Sequence, residues 1–354
     1  MKNISSLVAL LFSPCVLAAH PLSDTVILGG FGSVSAAKSD NTTPLFRNRE
    51  ITDDWCYDCD STLGLQLDWR ISPALRTSFQ LAKRPQDHYS DPEWEWVYAA
   101  YEVNALTIKV GRLRLPLFLM SEYYYVSYAY PWFRPPQDVY DATLGITSYD
   151  GISFTWNGWL SDQITTSVTA HYGLPDQGTF GIVGGQLKLD SDYTAGLSLQ
   201  LYFDDSTVNV SYLRSEAKQT AIMTIPSSDQ TVTEQSKETF DIFSVGIEQY
   251  WGPVRLLSEG LLSRDLYANW YVSLDYHWQS LTPYVTYSQQ RRDRDSESYL
   301  LGLRYTLNQH LAVNAEWQYI DAKRVNRNGS FTAPPTSSSQ EDVNLFTLGL
   351  SFQF

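Results

Sequence analysis

The chain has 354 residues, of which 43% are hydrophobic and 14% aromatic, and its formal net charge is −14. This acidity argues against nucleic acid and anionic membrane surfaces as partners. Beyond the N-terminus no apolar run reaches about 18 residues, so we expect no membrane-spanning helix, and a soluble fold and a β-barrel remain as candidate classes.

The N-terminus has the pattern of a secretory signal peptide. Lys2 precedes a mostly apolar stretch at 4–17, and small residues follow it. This stretch is too short to cross a bilayer as a helix. We therefore predict a signal peptide at 1–19 and a single mature domain at 20–354, with an uncleaved anchor as the alternative.

Two cysteines remain in the predicted mature domain, Cys56 and Cys59, separated by two residues. In an exported protein this spacing favours a small disulfide loop. A redox motif would need a strand before it and a helix after it, and a zinc site would need further Cys or His ligands nearby. The local sequence offers neither, so we predict the disulfide Cys56–Cys59 and neither a metal nor a cofactor.

Apolar and polar residues alternate with a period of two along most of the chain, which is typical of β-strands. Short and long connections also alternate strictly, which predicts an antiparallel up-and-down meander with the long loops at one end, as in outer-membrane barrels. The stretch 173–192 has two interpretations, in which 181–189 forms a strand pair or a loop hairpin. The predicted strands number sixteen: 25–36, 61–72, 74–83, 94–103, 106–114, 149–157, 163–172, 193–203, 207–216, 239–251, 254–263, 269–278, 281–290, 296–306, 310–320 and 343–354.

The last strand alternates aromatic and aliphatic residues with small polar ones and ends on Phe354. This pattern resembles the C-terminal assembly signal of Gram-negative outer-membrane proteins. A sixteen-stranded barrel encloses water, so its apolar face must point outwards and its polar face must line the lumen. Together these features predict an all-β transmembrane barrel.

The segment from Val110 to Pro116, VGRLRLP, resembles the point at which the fifth strand of Gram-negative general porins enters a long third loop. In that superfamily the loop folds inwards and narrows the pore. The resemblance implies a location in the cell outer membrane, a homotrimer, and contacts with outer-membrane lipid and lipopolysaccharide. It also implies recognition of Phe354 by the barrel-assembly machinery.

The third long loop, 115–148, is rich in tyrosine and proline. Prolines restrict the backbone, and tyrosines combine an apolar body with a polar tip, so the loop suits an inward-folded constriction. An extracellular lid or a subunit contact is the alternative. The candidate site residues on this loop are Glu122, Tyr123, Tyr125, Arg134, Asp138 and Asp141.

Strand alternation assigns Arg70, Arg76, Lys109 and Arg304 to the lumen. Regular alternation would place Arg112 and Arg114 on the lipid face, where arginine is costly. We therefore predict a β-bulge at Gly111 that turns both arginines inwards, opposite the acidic residues of the loop.

The function predicted from these features is a water-filled channel for small hydrophilic solutes and ions. A channel selective for a sugar, an aromatic or an anionic solute, and a non-conducting structural or adhesive barrel, remain alternatives. The net charge favours a mild preference for cations, although many acidic residues lie in predicted external loops. We predict no enzyme activity, because the histidines lie in separate strands and no nucleophile motif surrounds a serine.

Overall fold

The computed structural model describes residues 20–47, 49–85, 91–143, 146–182, 185–225, 230–264, 266–292, 294–322, 329–332 and 341–354. The predicted signal peptide at 1–19 lies outside this part of the chain. None of the helices in the described ranges is long and apolar enough to cross a membrane.

Eighteen strands are present among the described residues. Their bounds are β1 His20–Ser23, β2 Val26–Ser39, β3 Thr62–Arg70, β4 Leu75–Lys83, β5 Glu93–Val103, β6 Leu106–Arg114, β7 Ser148–Ser161, β8 Ile164–Gly173, β9 Asp176–Ile182, β10 Gly185–Tyr202, β11 Ser206–Ile225, β12 Gln230–Trp251, β13 Val254–Ser263, β14 Ala268–Tyr276, β15 Leu281–Gln290, β16 Ser296–Asn308, β17 Leu311–Asp321 and β18 Asp342–Gln353.

Sixteen of these strands, β2–β8 and β10–β18, form a closed antiparallel barrel. Each pairs with the next along the chain, and β8 pairs directly with β10. The pairing of β18 with β2 closes the ring, with Gln353 opposite Phe31. Because a closed barrel satisfies every strand edge, this is a stable way for strands to cross a membrane. The predicted sixteen-stranded barrel is confirmed.

The two additional strands extend the wall at opposite ends. Strand β1 pairs with the first residues of β2, His20 opposite Leu28. Strand β9 pairs with the first half of β10, in line with β8. Strands β9 and β10 form a hairpin, which agrees with the interpretation of 173–192 as a loop hairpin.

Strands β11 and β12 stay paired along their whole length, from Ser206 opposite Gln249 to Ile225 opposite Gln230. The sequence predicts a loop at 217–237, and this prediction is wrong. The segment contains many β-branched residues, which favour strands, but it lacks the strict polar and apolar alternation that a lipid boundary imposes. The hairpin therefore rises well beyond the membrane-spanning wall.

The outer face of the barrel is apolar, with aromatic side chains near both rims. Exposed large residues on this face include Leu65, Val110 and Leu301 in mid-strand. Near the strand ends they include Trp69, Trp270, Trp278, Tyr305 and Trp317. Amphipathic rings at both rims match the interfacial girdles expected of a membrane barrel.

The connection between β6 and β7, described at 115–143 and 146–147, folds into the barrel, as predicted. We call this segment loop 3. It contains two 3₁₀ turns, Ser121–Tyr123 and Ser127–Ala129, and one helical turn, α1 Gln137–Tyr140. Its side chains form a hydrophobic core inside the lumen, in which Trp132 is fully buried. Loop 3 therefore packs tightly against the inner wall and fills part of the lumen.

Candidate functional site

A buried carboxylate, Glu259 of β13, ties loop 3 to the wall near both of the loop's ends. It accepts hydrogen bonds from the Leu119 backbone N–H at 2.8 Å and from the Tyr140 hydroxyl. Tyr271 of β14 donates to the same carboxylate at 2.9 Å. Hydrogen bonds to a carboxylate are stronger than those between neutral groups, so this contact fixes the loop against β13 and β14.

A second buried carboxylate, Glu316 of β17, holds the middle of the loop. The Phe133 backbone N–H donates to it at 2.7 Å, and the Tyr284 hydroxyl at 2.8 Å. The Asn314 amide donates to the Pro131 carbonyl at 2.7 Å. These bonds satisfy backbone groups of an irregular segment that would otherwise be buried without partners.

Arg304 of β16 also binds the loop, which corrects its predicted role as a lumen charge. Its guanidinium donates to the carbonyls of Ser127 at 3.1 Å, Tyr128 at 2.7 Å and Tyr130 at 2.7 Å. Guanidinium presents several N–H donors in a fixed plane, which suits three neighbouring carbonyls. The side chain is buried beneath the loop and does not line open space.

Arg134 is likewise buried, and it does not face the arginines of β6 as the sequence suggests. It pairs with Asp60 of the first long loop and donates to Thr347 of β18 at 2.5 Å. Arg49 pairs with the same carboxylate at 2.6 Å and donates to Gln137 at 2.6 Å. Two arginines therefore share one carboxylate that links the first long loop to loop 3.

The disulfide Cys56–Cys59 immediately precedes Asp60. Cys56 also forms an isolated β-bridge with Ala37 at the upper end of β2. The disulfide and the bridge together restrict the backbone that presents the Asp60 carboxylate to loop 3.

Asp138 of α1 is buried against β14 and β15 and not exposed to the lumen. Ser288 donates to one of its carboxylate oxygens and Ser330 to the other at 3.2 Å, while Asn269 donates to its carbonyl at 2.8 Å. Burial raises the pKa of Asp138 above its usual value. Asp141, one turn later, is half-buried and does not border the open space.

Tyr125 of loop 3 lies between two arginines of the opposite wall. The guanidinium carbon of Arg114 is 5.0 Å from the centre of its ring, and that of Arg84 is 5.8 Å away. Both arginines pair with Glu95 of β5, Arg114 at 2.9 Å and Arg84 at 2.5 Å. Burial raises the pKa of the Tyr125 hydroxyl, so it stays neutral. Together these four side chains form a latch between the loop and the wall.

Glu95 was not predicted from the sequence. Gln80 pairs with Trp96 and Leu81 with Trp94, which leaves Glu95 as an extra residue of β5. Such a bulge re-aims a side chain, and here it leaves the carboxylate fully buried. The signal in the sequence is an acidic residue between two tryptophans, directly before the point, Trp96-Val97, at which alternation breaks down.

The predicted bulge at Gly111 is absent, and the predicted inward position of Arg112 is corrected with it. Pairing between β5 and β6 continues without a shift through Val97 opposite Arg112. Lys109 and Leu113 border the inner space and Val110 is exposed outside, so Arg112 lies on the outer face with Val110; Arg114, the last residue of β6, departs from this alternation and borders the inner space. On the outer face Arg112 pairs at 3.6 Å with Asp150, its direct neighbour on β7. The partner on the adjacent strand offsets the cost of an arginine near the membrane rim.

An open space of about 1030 Å³ remains between loop 3 and the wall on the side of β3–β8, β10 and β11. We call this space the vestibule. Its charged lining comprises four basic and four acidic side chains: Arg70, Arg76, Lys109, Arg114, Asp24, Asp68, Glu122 and Glu248.

The vestibule is crossed by an ion pair between the wall and loop 3. Lys109 Nζ lies 3.8 Å from a carboxylate oxygen of Glu122, and 5.3 Å from the centre of the Tyr98 ring. Tyr123, the next loop residue, also borders the vestibule, and burial raises the pKa of its hydroxyl to about 12. The sequence predicts Glu122 opposite Arg112 and Arg114; the structure places Lys109 there.

Arg70 and Arg76 lie directly opposite each other on β3 and β4 and border the vestibule near the short-turn end. Like charges in this position repel. Glu102 of β5, 3.2 Å from Arg76, reduces that repulsion. These two arginines therefore lie in the lumen, where alternation predicts them.

One wall of the vestibule carries no charge. Strands β7, β8, β10 and β11 contribute nine lining residues, all of them uncharged: Tyr149, Ser153, Thr155, Ser167, Thr169, Ser198, Gln200, Tyr202 and Thr207. The vestibule thus has a neutral wall of four strands, flanked at one edge by Lys109, opposite Ser153, and at the other by Glu248, opposite Thr207.

Among the described residues, one group has the spacing of a metal site: Cys56, Asp58 and Cys59. The disulfide removes both thiolates that such a site would use. These residues therefore do not fit a metal ion.

A family model described as the outer membrane protein beta-barrel domain matches residues 165–354, more than half of the chain. No curated protein sequence matches significantly.

Solved outer-membrane proteins share the fold at low sequence identity. The trimer form of OmpT from Vibrio cholerae is 16% identical with a TM-score of 0.60, over 93% of this chain and 99% of that one. The anion-selective porin from Comamonas acidovorans is 13% identical with a TM-score of 0.61, over 93% and 99%. OmpF of Salmonella typhi, solved with daunomycin, is 12% identical with a TM-score of 0.59, over 94% and 98%. With the closed barrel and the family match, the chain belongs to the outer membrane protein beta-barrel domain family.

Proposed function

We propose that the protein is an outer-membrane porin, a water-filled channel for passive diffusion of small hydrophilic solutes and ions. The observation that carries this proposal is the vestibule, a polar space of about 1030 Å³ inside a closed barrel, narrowed by loop 3. A structural barrel needs no such space, and loop 3 would then pack against both walls. Here it packs mainly on β11–β18, reaches β5 and β6 through the Tyr125 latch, and leaves the vestibule open between these contacts.

Balanced lining charges support passage of solutes without a strong preference for one ion sign. The four basic and four acidic side chains of the vestibule cancel in formal charge. The acidity of the whole chain is therefore a poor guide to selectivity. We expect a weak preference, set mainly by the pair of Lys109 and Glu122, which joins the wall to loop 3 across the vestibule.

The membrane setting follows from the same proposal. We place the protein in the outer membrane of a Gram-negative bacterium, with the short turns in the periplasm, in contact with lipid and lipopolysaccharide. Assembly through the barrel-assembly machinery would use Phe354, which exchanges backbone hydrogen bonds with Gly30 at 2.8 Å. The trimer form solved for the similar OmpT supports a homotrimer here.

We also propose that the protein is not an enzyme. His171 lies within β8, whereas His277 follows β14 and pairs with Asp275, 2.9 Å away. Turnover of phospholipid or peptide by the purified protein would contradict this.

Planar-bilayer recordings with a salt gradient test the channel directly. The folded protein should produce stepwise conductance increases, and heat-denatured protein should not. A small reversal potential, in either direction, is expected from the balanced lining charges. Folded protein that inserts and gives no conductance would rule out the porin proposal.

A further inference from the structure

The vestibule has the chemistry of a binding site for a neutral solute. Its neutral wall presents hydroxyl and amide groups from four adjacent strands, and no ionic group among the described residues interrupts it. Its volume lies near the upper end of the range of roughly 300–1,000 Å³ found for ligand pockets. A solute of several hydrogen-bonding groups therefore has room to bind together with water.

The polar groups of this wall form a regular lattice. Thr155 of β7 lies opposite Thr169 of β8, which lies opposite Ser198 of β10. One row nearer the short-turn end, Ser167 lies opposite Gln200. Strands are about 4.8 Å apart and side chains on one face about 6.8 Å apart along a strand. The wall thus offers donors and acceptors in two dimensions, as hydroxyls around a sugar ring require.

The hydroxyls of Thr155 and Thr169 keep bonding capacity for a ligand. Thr155 and Thr169 bond each other at 2.9 Å, which uses one hydrogen-bond donor of the two. A hydroxyl has one donor and two acceptor lone pairs, so the pair retains a donor and several lone pairs. Since a neutral solute carries no charge to desolvate, neutral groups suffice to replace its water.

Aromatic rings complete the site. Tyr202, on the neutral wall, is 39% exposed, and Tyr123, on loop 3, is 36% exposed. Both border the vestibule. Tyrosine combines an apolar ring face with a polar tip, so it can contact the C–H face of a sugar and hydrogen-bond its rim.

We propose that the neutral wall and its flanking tyrosines bind neutral polyhydroxylated solutes, of the size of a mono- or disaccharide, during passage. This inference rests on the proposed porin function. It differs from selection by ions, because the lining residues of the neutral wall carry no charge, and the charged side chains of the vestibule, which flank that wall at Lys109 and Glu248, sum to zero.

The test is block of the ion current by maltose in a planar bilayer, with triglycine, a zwitterion, as the comparison solute. In the wild type, maltose should reduce the current at a concentration at least about tenfold lower than triglycine does. The double variant Thr155→Val and Thr169→Val removes both partners of one hydrogen bond and leaves neither unpaired. It should raise the half-blocking maltose concentration roughly tenfold.

Thr306→Val on β16 is the matched control, because this residue does not border the vestibule. Maltose should block this variant at the same concentration as the wild type. Conductance with no block by maltose, or equal block by triglycine, overturns the inference and leaves the porin proposal standing. Absence of any conductance overturns both. If the double variant does not fold, the comparison of maltose with triglycine on the wild-type channel decides whether the inference holds.

Discussion

Lys109 on the barrel wall and Glu122 on loop 3 approach to 3.8 Å across the vestibule. The Glu122 side chain is 77% exposed, so the pair is solvated and exchanges readily with water and ions. Exposed ion pairs of this kind contribute about 0.2–1 kcal/mol. The pair therefore contributes little to stability, but both of its charges are accessible to ions in the vestibule.

Glu122→Gln should shift selectivity towards anions, because it leaves Lys109 as the unopposed charge. Lys109→Gln should shift it towards cations. An interaction below about 1 kcal/mol corresponds to a change of roughly fivefold or less in the permeability ratio. The reversal potential in a potassium chloride gradient measures it.

Asp241→Asn controls for net charge in that experiment. Asp241 pairs with Arg214 and does not border the vestibule. If this variant shifts the reversal potential as much as Glu122→Gln does, long-range charge and not the Lys109 pair sets selectivity.

Asp60→Asn should release the middle of loop 3. The change removes the charge that Arg49 and Arg134 share, and breaking a buried ion pair costs about 3–5 kcal/mol. Chymotrypsin should then cut the tyrosines of loop 3 in the folded barrel, seen as two fragments after heating in detergent. Asp53→Asn, an exposed position in the same long loop, should remain resistant; cleavage of both variants alike would argue against a specific role for Asp60.

Loop docking should depend on pH through Asp138. Burial raises the pKa of this carboxyl, as does Asp141, while Ser288, Ser330 and Arg294 oppose the rise. A group with a raised carboxyl pKa binds more protons in the folded state. The contribution of Asp138 to the free energy of unfolding is therefore fully present below the ordinary carboxyl pKa. It is lost as the pH rises through the raised pKa of the folded state.

The pH dependence can be isolated with Asp138→Asn, which mimics the protonated form. Melting temperatures in detergent should show the wild type losing stability relative to this variant as pH rises through that window. A wild type that gains stability relative to Asp138→Asn over the same range would contradict the assignment. Asp54→Asn, at an exposed position, should keep the wild-type slope.

The barrel wall was predictable because the membrane imposes a local rule. Every strand edge must be paired and every lipid-facing side chain must be apolar, so alternation reports both the strand and its faces. Beyond the membrane, strands need not alternate apolar and polar residues, so the sequence pattern does not predict the extension of β11 and β12.

The contacts of loop 3 were not predictable in the same way. Tyr140 and Glu259 bond across the barrel although 119 residues separate them. No local pattern reports which strand faces a loop across a lumen. The predicted inward position of Arg112 is wrong for a related reason, because its partner Asp150 can be identified only once the register of β6 and β7 is known.

Glu95→Gln should loosen the latch between loop 3 and the wall. Glu95 is fully buried and pairs with both Arg84 and Arg114, which flank Tyr125. Without the carboxylate charge the two guanidinium groups repel each other, and Tyr125 loses its place between them. We expect a larger single-channel conductance and more frequent current fluctuations.

Arg112→Gln provides the matched comparison for this last experiment. Arg112 lies two residues before Arg114 in the same strand, pairs with Asp150 on the outer face, and does not border the vestibule. Its loss should leave single-channel conductance and current noise unchanged. If Arg112→Gln alters the current and Glu95→Gln does not, then the inner and outer faces of β6 are assigned the wrong way round, because only an inward side chain touches the path of the ions.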